Sequence, residues 1–329
     1  MYVTEQGAVI GREGGRIEVR AHKEVLASAR LLDVSQVCVF GNVQVSSQVL
    51  RELFAREIPV CWFSYGGWFS GIANGLPSKH VDLRRRQVSI SGQGGLDIAR
   101  RMVAGKIRNS RTLLRRNSRE KQPQALRRLA AGEQAAQEAV SFAELLGIEG
   151  AAARTYFERI PLMLNDDKRL PGAGFNWEGR NRRPTRDAVN CMLSYVYGLL
   201  VKDLTVVTLS VGFDPYLGFY HRPRFGRPAL ALDLAEEFRP LIGDSVVLGA
   251  INNGEVTASD FVVRAGSVGL TGSGRKSVLV AYERRMDVEI IHPLFGYKIS
   301  YRRVLDVQAR LLAAHLLGEI PEYVAFCTR

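Results

Sequence analysis

The sequence is short of several things, and each shortage removes a class of function. Cysteine occurs four times in 329 residues, as Cys38, Cys61, Cys191 and Cys327, with no CxxC pair and mostly in apolar company such as "VCVF" and "PVCWF". That pattern argues against a disulfide framework or a zinc site and for reduced, buried thiols. No run approaches the roughly 18 uninterrupted apolar residues of a membrane span, and "MYVTEQGAVIGREGG" holds no apolar signal-peptide core. A cytoplasmic protein with no membrane partner is the expectation. Glycine-rich nucleotide signatures are missing as well, since "GREGG" follows no strand-to-helix switch. There are no internal repeats and no low-complexity tracts.

The most local shortage is of acid. From Arg84 to Arg128 there are fourteen Lys and Arg against only Asp97 and Glu120, so this segment carries the whole net charge of +12 while the remainder balances at 31 basic and 31 acidic residues. A solvated helix face normally mixes both signs. Ile98, Met102, Ile107, Leu113 and Leu114 recur with helical period, which predicts a helix with a basic outer face. No cluster of exposed aromatic anchors accompanies the arginines, so the segment points to a polyanion surface, nucleic acid before membrane. Arg84, Arg85, Arg101, Arg108, Arg111, Arg115 and Arg116 are its candidate contacts, with Arg182, Arg183 and Arg224 as candidates from arginine-rich loops farther along.

What is present divides the chain in two. At 46% hydrophobic the sequence can bury a sizeable core and form two domains. Residues 1–75 read as a small β-rich domain: "GAVIGREGGRIEVRAH" as two strands around a glycine turn, "VSQVCVFGN" as another strand, "SSQVLRELFARE" as a helix opened by serine, and "IPVCWFS" with "WFSGIA" as a hairpin. A linker is expected over 76–84. Helical periodicity dominates residues 85–329, with helices predicted over 97–129, 132–145, 149–159, 185–207, 229–238, 273–285 and 301–317, and a small hairpin at "DFVVRAGSVGLT". The fold class is therefore α+β, a β-rich N-terminal domain followed by a mainly α-helical one.

Three stretches carry candidate chemistry. In "HRPRFGRPALALDLAEEFRP" the helix over 229–238 places Leu230 and Leu234 on a packed face and stacks Asp233 and Glu236, three residues apart. Two like charges so placed repel unless an arginine, a proton or a metal ion intervenes. His221 is the one histidine of five within a helical segment of these acids, although a lone histidine is also a common partner in a core. In "LLGIEGAAARTYF" Glu149 opens a predicted helix whose next turn is nearly all alanine. Either the helix dipole favours the acid there, or the small residues admit a neighbouring helix that brings distant groups to it. A histidine with several carboxylates makes a hard site suited to Mg²⁺ or Mn²⁺ rather than zinc, and beside a basic surface it suggests phosphodiester chemistry. In "GRNRRPTRDAVNCMLSYVYGLL" Val189, Leu193, Val196 and Leu200 share a core face, with Pro184 near the first turn and Thr185 as a possible cap. Arg180, Arg182, Arg183 and Arg186 at its mouth are open to phosphate or to a carboxylate of the site.

Taken together, "VFGNVQVSSQVLRELFAREIPVCWFS", "LLGIEGAAARTYF", "NRRPTRDAVNCMLSYVYGLL" and "HRPRFGRPALALDLAEEFRPLIGDSVV" resemble CRISPR-associated protein one, the integrase of spacer acquisition, in the family's order and over nearly the whole chain. The resemblance implies a dimerising N-terminal β domain and an α-helical catalytic domain. It implies a Mg²⁺ or Mn²⁺ site of Glu149, His221 and Glu236, with Asp233 as the neighbouring acid. It also implies a homodimer bridged by a dimer of CRISPR-associated protein two, and strand transfer in which a DNA 3′-hydroxyl attacks a phosphodiester at a CRISPR repeat, with cleavage of branched DNA by the reverse route. Some relatives are fused to CRISPR-associated protein four, whose clustered cysteines this sequence lacks; that protein is then a separate partner or lies in a longer polypeptide. Two other readings compete: a non-catalytic DNA-binding scaffold whose acids only neutralise arginines, and a metal hydrolase of a small phosphorylated substrate.

Overall fold

Two β-sheets and one helix make up the first of two units, Met1–Lys79; the second is His80–Arg329. The computed structural model describes residues 1–76, 80–164, 175, 177, 179–181 and 184–328. In the first unit, β2 (Val9–Glu13) and β3 (Arg16–Ala21) form the hairpin expected around Gly14 and Gly15, and Gly14 takes φ +55°. A positive φ is what glycine allows there without steric cost. β4 (Glu24–Arg30) and β6 (Gln44–Val45) complete that sheet in the order β4-β3-β2-β6. The second sheet runs β1 (Tyr2–Val3), β5 (Val37–Phe40), β7 (Val60–Phe63), β8 (Phe69–Ala73), with β5 parallel to both β1 and β7. Helix α1 (Ser47–Ala55) is capped by Ser46, whose Oγ accepts the Val49 N–H at 3.3 Å. β1, β4 and β6 were not legible: two are two residues long, and β4 is exposed at every residue but Ala29 and shows no alternation.

The second unit departs from the sequence reading at its start. α2 (Val81–Gln93) begins inside the stretch expected to be a linker. The single basic helix expected over 97–129 is two, α3 (Leu96–Asn117) and α4 (Pro123–Glu138). Pro123 lacks the N–H and fixes φ, so it suits a helix's first position and cannot continue one. α5 (Phe142–Phe157) starts at Ser141, whose Oγ accepts the Glu144 N–H, and so merges parts of two expected helices. α6 (Ala188–Val211) is capped by Asp187, not Thr185: Asp187 Oδ1 accepts the Asn190 N–H at 2.7 Å.

α6 is long and apolar enough to cross a membrane by composition, yet Val189, Leu193, Val196 and Leu200 are all buried among other helices as expected. Lys202 and Asp203 pair in the same interior at 2.5 Å, and the Tyr282 hydroxyl donates to Asp203. α7 (Ala229–Phe238) ends where predicted, but the helical path continues through a π turn (Arg239–Asp244) into α8 (Ser245–Asn252). Pro240 has no N–H to give the preceding turn, and a π turn absorbs that gap. The expected hairpin is β9 (Phe261–Arg264) with β10 (Ser267–Leu270). α9 (Gly272–Asp287), the hairpin β11 (Glu289–Ile291) and β12 (Lys298–Ser300), and α10 (Tyr301–Leu317) follow. Cys38, Cys61 and Cys191 are buried and Cys327 is half-buried, all four as thiols.

Candidate functional site

The site is assembled by a loop bent around one buried carboxylate. Asp233 on α7 is fully buried. It accepts the backbone N–H groups of Phe219 (2.6 Å), Tyr220 (3.0 Å) and His221 (2.8 Å), and its Oδ1 lies 2.6 Å from His221 Nδ1. Gly218 makes the bend possible: a Cβ there would stand 2.7 Å from Asp233 Oδ2 and 2.9 Å from the Ala229 backbone. α2 grips the same loop from the other side. The Gln87 amide donates to the carbonyls of Asp214 and Leu217 and accepts the Asp214 N–H, Ser91 Oγ donates to the Gly218 carbonyl, and Arg84 Nε donates to the Gly212 carbonyl.

With Nδ1 engaged by Asp233, the His221 Nε2 faces the site, 3.8 Å from Glu236 Oε1. Glu236 sits one helical turn beyond Asp233 and is 1% exposed. Arg239 pairs with it at 2.7 Å and Lys106 at 2.6 Å. Burial pushes this carboxyl up, but Arg239, then Lys106 and His221, outweigh burial and hold it at about 2. The Lys106 ammonium also contacts Glu149 Oε1, so one cation joins two carboxylates from different helices. The Tyr220 hydroxyl donates to Glu149 Oε2 at 3.3 Å. Burial first, and then the Glu149 and Glu236 charges, raise that phenol far above its ordinary range, so it stays a donor.

Glu149, His221 and Glu236 are thus brought together, and Asp233 stands behind the histidine rather than beside it. The two carboxylates stacked on α7 find separate partners: Asp233 meets three amides and an imidazole, and Glu236 pairs with Lys106 and Arg239. Glu149 lies in the middle of α5, which removes the dipole reading, because that effect fades within the first turn. The alanine-rich face does admit a neighbour. A Cβ on Gly132 of α4 would lie 3.7 Å from the Ala152 Cβ and 3.9 Å from the Ile107 side chain of α3, the helix that carries Lys106.

Sequence reasoning missed the cations. Lys106 was counted with the surface charge although it falls four residues after Met102 and three after Val103, on the buried face of α3. That register was the available signal. Arg239, three residues after Glu236, was not considered, nor was the buried Asp244 beneath the site. Asp244 accepts the hydroxyls of Tyr156 (2.8 Å) and Tyr197 (2.5 Å), and the Arg239 guanidinium lies over the Tyr197 ring at 5.2 Å.

The donor set fits a hard divalent cation. His221 presents Nε2 while a carboxylate holds Nδ1, the usual arrangement of a ligating imidazole. Glu149 and Glu236 supply anionic oxygens, and the buried Glu236 Oε2 has an ion pair but no well-aligned hydrogen bond. Among the described residues no three His, Cys, Asp or Glu side chains already surround one point. The Lys106 ammonium stands between the two glutamates, where it would compete with such a cation.

The basic candidates separate by context. Arg85, Arg108, Arg115, Arg116 and Arg224 are exposed. Arg84 is half-buried and committed to the loop, Arg101 pairs with Glu322 at 2.5 Å, and Arg111 pairs with Glu133 at 3.1 Å. Acids from outside the segment therefore neutralise part of it. Arg182 and Arg183 lie outside the described residues. Arg180 bonds Asn190 Oδ1 at 2.6 Å and lies 5.6 Å from the Tyr197 ring centre, and Arg186 is exposed. An open cleft of about 740 Å³ runs along the site, lined by Glu149, His221, Glu236, Arg239, Arg222, Arg224 and Arg227 among others.

A β-rich unit followed by a helical unit with a histidine–carboxylate cluster facing an arginine-lined cleft is the class that fold and site define. The family model described as "CRISPR associated protein Cas1" matches residues 1–284, and the chain belongs to that family. It is 47% identical over 337 residues to a Geobacter sulfurreducens protein described as "CRISPR-associated exonuclease Cas4/endonuclease Cas1 fusion", covering all of this chain but 60% of that protein. It is 38% identical over 334 residues to "CRISPR-associated endonuclease Cas1 3" of Thermus thermophilus, covering 100% of this chain and 97% of the relative. The solved structure of a Cas1 protein from Thermotoga maritima superposes with a TM-score of 0.81 at 24% identity, covering 100% and 99% of the two chains, a likeness of fold.

Proposed function

We propose that the chain is a metal-dependent DNA integrase and endonuclease of CRISPR adaptation. It joins the 3′-hydroxyl of a short DNA fragment to a phosphodiester at the repeat, and it cuts branched DNA by the reverse reaction. The observation that carries the reading is the meeting of Glu149, His221 and Glu236, drawn from α5, a loop and α7, beside an arginine-lined cleft. These three residues would hold a Mg²⁺ or Mn²⁺ ion, which would supply a lower pKa for the attacking hydroxyl and charge stabilisation on the phosphoryl oxygens. Asp233 orients His221 and keeps its Nε2 free. Arg239 and Arg224 meet phosphate oxygens, while Arg85, Arg115 and Arg116 track the backbone without reading sequence.

The same reading makes the chain a homodimer through its β unit, where Val25 and Leu26 are exposed on strand β4 and Trp68 on the β7–β8 turn. It gives the assembly a CRISPR-associated protein two dimer as bridge. CRISPR-associated protein four becomes a further partner, in line with the fusion relative. A cytoplasmic location follows from that role.

The test is strand transfer and cleavage on branched DNA with Mn²⁺, Mg²⁺ or EDTA, comparing the wild type with Glu149→Ala, His221→Ala and Glu236→Ala. Metal-dependent activity lost in each variant, with DNA binding retained, is the expected result. Full activity in one variant removes that residue from the site. A wild type that binds DNA yet neither joins nor cuts it with any metal and its partner leaves the non-catalytic scaffold reading.

A further inference from the structure

The loop between His221 and α7 holds one side chain that packing does not explain. Phe225 is 109% exposed, more than any other large apolar side chain among the described residues. Scattered surface apolar residues are ordinary, but this ring is held out by a built turn. The Arg227 N–H donates to the Arg224 carbonyl at 3.0 Å, residues 224 and 227 form a β-bridge, and Gly226 takes φ +69°. Glycine at the third position with positive φ is the requirement of a type II turn, which leaves Phe225 at the tip.

Both ends of this loop are fixed to the site. At the N-terminal end the amides of residues 219–221 are bound by Asp233. At the C-terminal end Ala229 begins α7, and the Leu230 N–H is held by the Pro215 carbonyl at 2.9 Å. Residues 221–232 contain no acid, and Arg222, Arg224 and Arg227 line the cleft shared with His221 and Glu236. An aromatic face flanked by arginines is the arrangement that takes a nucleobase between two phosphates. Four residues of chain span at most about 14 Å, so at roughly 3.4 Å per stacked nucleotide such a base lies within about four nucleotides of a phosphate at His221.

We propose that Phe225 is a stacking site for an unpaired base beside the branch point of DNA, with Arg222, Arg224 and Arg227 holding the adjacent phosphates. The proposal rests on the DNA-processing reading above and adds that the site recognises single-stranded character next to the reacting phosphate, whatever the base. A π face accepts every base, so recognition is of strand structure and not of sequence.

The experiment measures binding of the full chain, in EDTA so that no chemistry occurs, to a flap junction and to a fully paired duplex. A fluorescent purine analogue is placed in turn at each of the four single-stranded nucleotides nearest the junction. The wild type is expected to quench the analogue at one or two of these positions. Phe225→Ala should remove the quenching and weaken flap binding by about 5- to 100-fold while duplex binding changes by less than about twofold, and Phe225→Trp should restore both. Arg224→Gln should weaken flap and duplex alike. Unchanged quenching and affinity in Phe225→Ala, or equal losses on flap and duplex, overturn the proposal. A wild type that binds neither DNA sinks the DNA-processing reading itself; a wild type that binds the flap no differently from Phe225→Ala sinks only the stacking site.

Discussion

Replacing Lys106 by methionine separates the two things its ammonium does: it neutralises Glu149 and Glu236, and it occupies the space between the carboxylates proposed to hold a divalent cation. The side chain is 11% exposed and its Nζ lies 2.6 Å from Glu236 while also contacting Glu149. Methionine keeps the length and apolar stem but removes the charge. Breaking a buried ion pair costs about 3–5 kcal/mol because the remaining charge is uncompensated. Glu236 retains Arg239 at 2.7 Å and Glu149 retains the Tyr220 hydroxyl at 3.3 Å, which places the cost near the lower end, about 3 kcal/mol. At about 2–4 °C per kcal/mol for a unit of this size, the melting temperature in EDTA should fall by about 6–12 °C.

Metal should narrow the difference. Without the ammonium to displace, the same carboxylates should bind Mn²⁺ at least about tenfold more tightly, a gain of about 1.4 kcal/mol. At a free Mn²⁺ concentration of 100 times the variant's Kd, binding adds about 2.7 kcal/mol to the variant and about 1.4 kcal/mol to the wild type, which closes somewhat less than half of the gap. Scanning calorimetry with EDTA or Mn²⁺ and titration calorimetry of Mn²⁺ read both effects. An unchanged melting temperature in EDTA, or identical Mn²⁺ affinities, would refute the argument.

Asp233→Asn should cost about 2–4 kcal/mol of stability, since an amide cannot accept three backbone N–H groups and an imidazole N–H as a carboxylate does; strand transfer should fall further than DNA affinity, and equal losses would argue against an orienting role. Glu237, held by the Tyr323 hydroxyl, the Phe326 N–H and Gln308, has its carboxyl pushed up to about 7 by burial, which outweighs those three donors. Because the folded state then binds the proton more tightly than the unfolded chain, this contribution is full below about pH 4.5 and is lost as pH rises through about 7, on the order of 3 kcal/mol. Glu237→Gln should flatten that part of the stability profile, and a slope identical to the wild type's would show that another group titrates. DNA affinity should fall steeply with salt, and Arg115→Gln and Arg116→Gln should each lower the slope of log K against log salt by about 1; a flat wild-type dependence would tell against the patch.

The strongest periodic signals were the ones read correctly. α7 and α10 run over the residues the spacing predicted, and the β2–β3 and β7–β8 hairpins fall at their glycine turns, because local geometry alone sets them. Apolar periodicity runs across the junction of α3 and α4, so spacing alone predicts one helix there, and the break is marked only by Pro123. The π turn was hidden for another reason: Pro240 shows where a hydrogen bond is missing, not how the chain compensates.

Sequence by itself determined which residue types were available: an acid-poor basic segment, a lone histidine near stacked acids, and an acid on a small-residue helix. Those are properties of neighbours along the chain. Only the tertiary structure decided which charge meets which. It turned Asp233, the neighbouring acid, toward the loop amides, set Lys106 between Glu149 and Glu236 from a helix distant in sequence, and gave Arg101 and Arg111 acidic partners from other elements. The reason is electrostatic and short-ranged: in a buried site a charge takes its meaning from partners within a few ångströms, and folding alone fixes those distances.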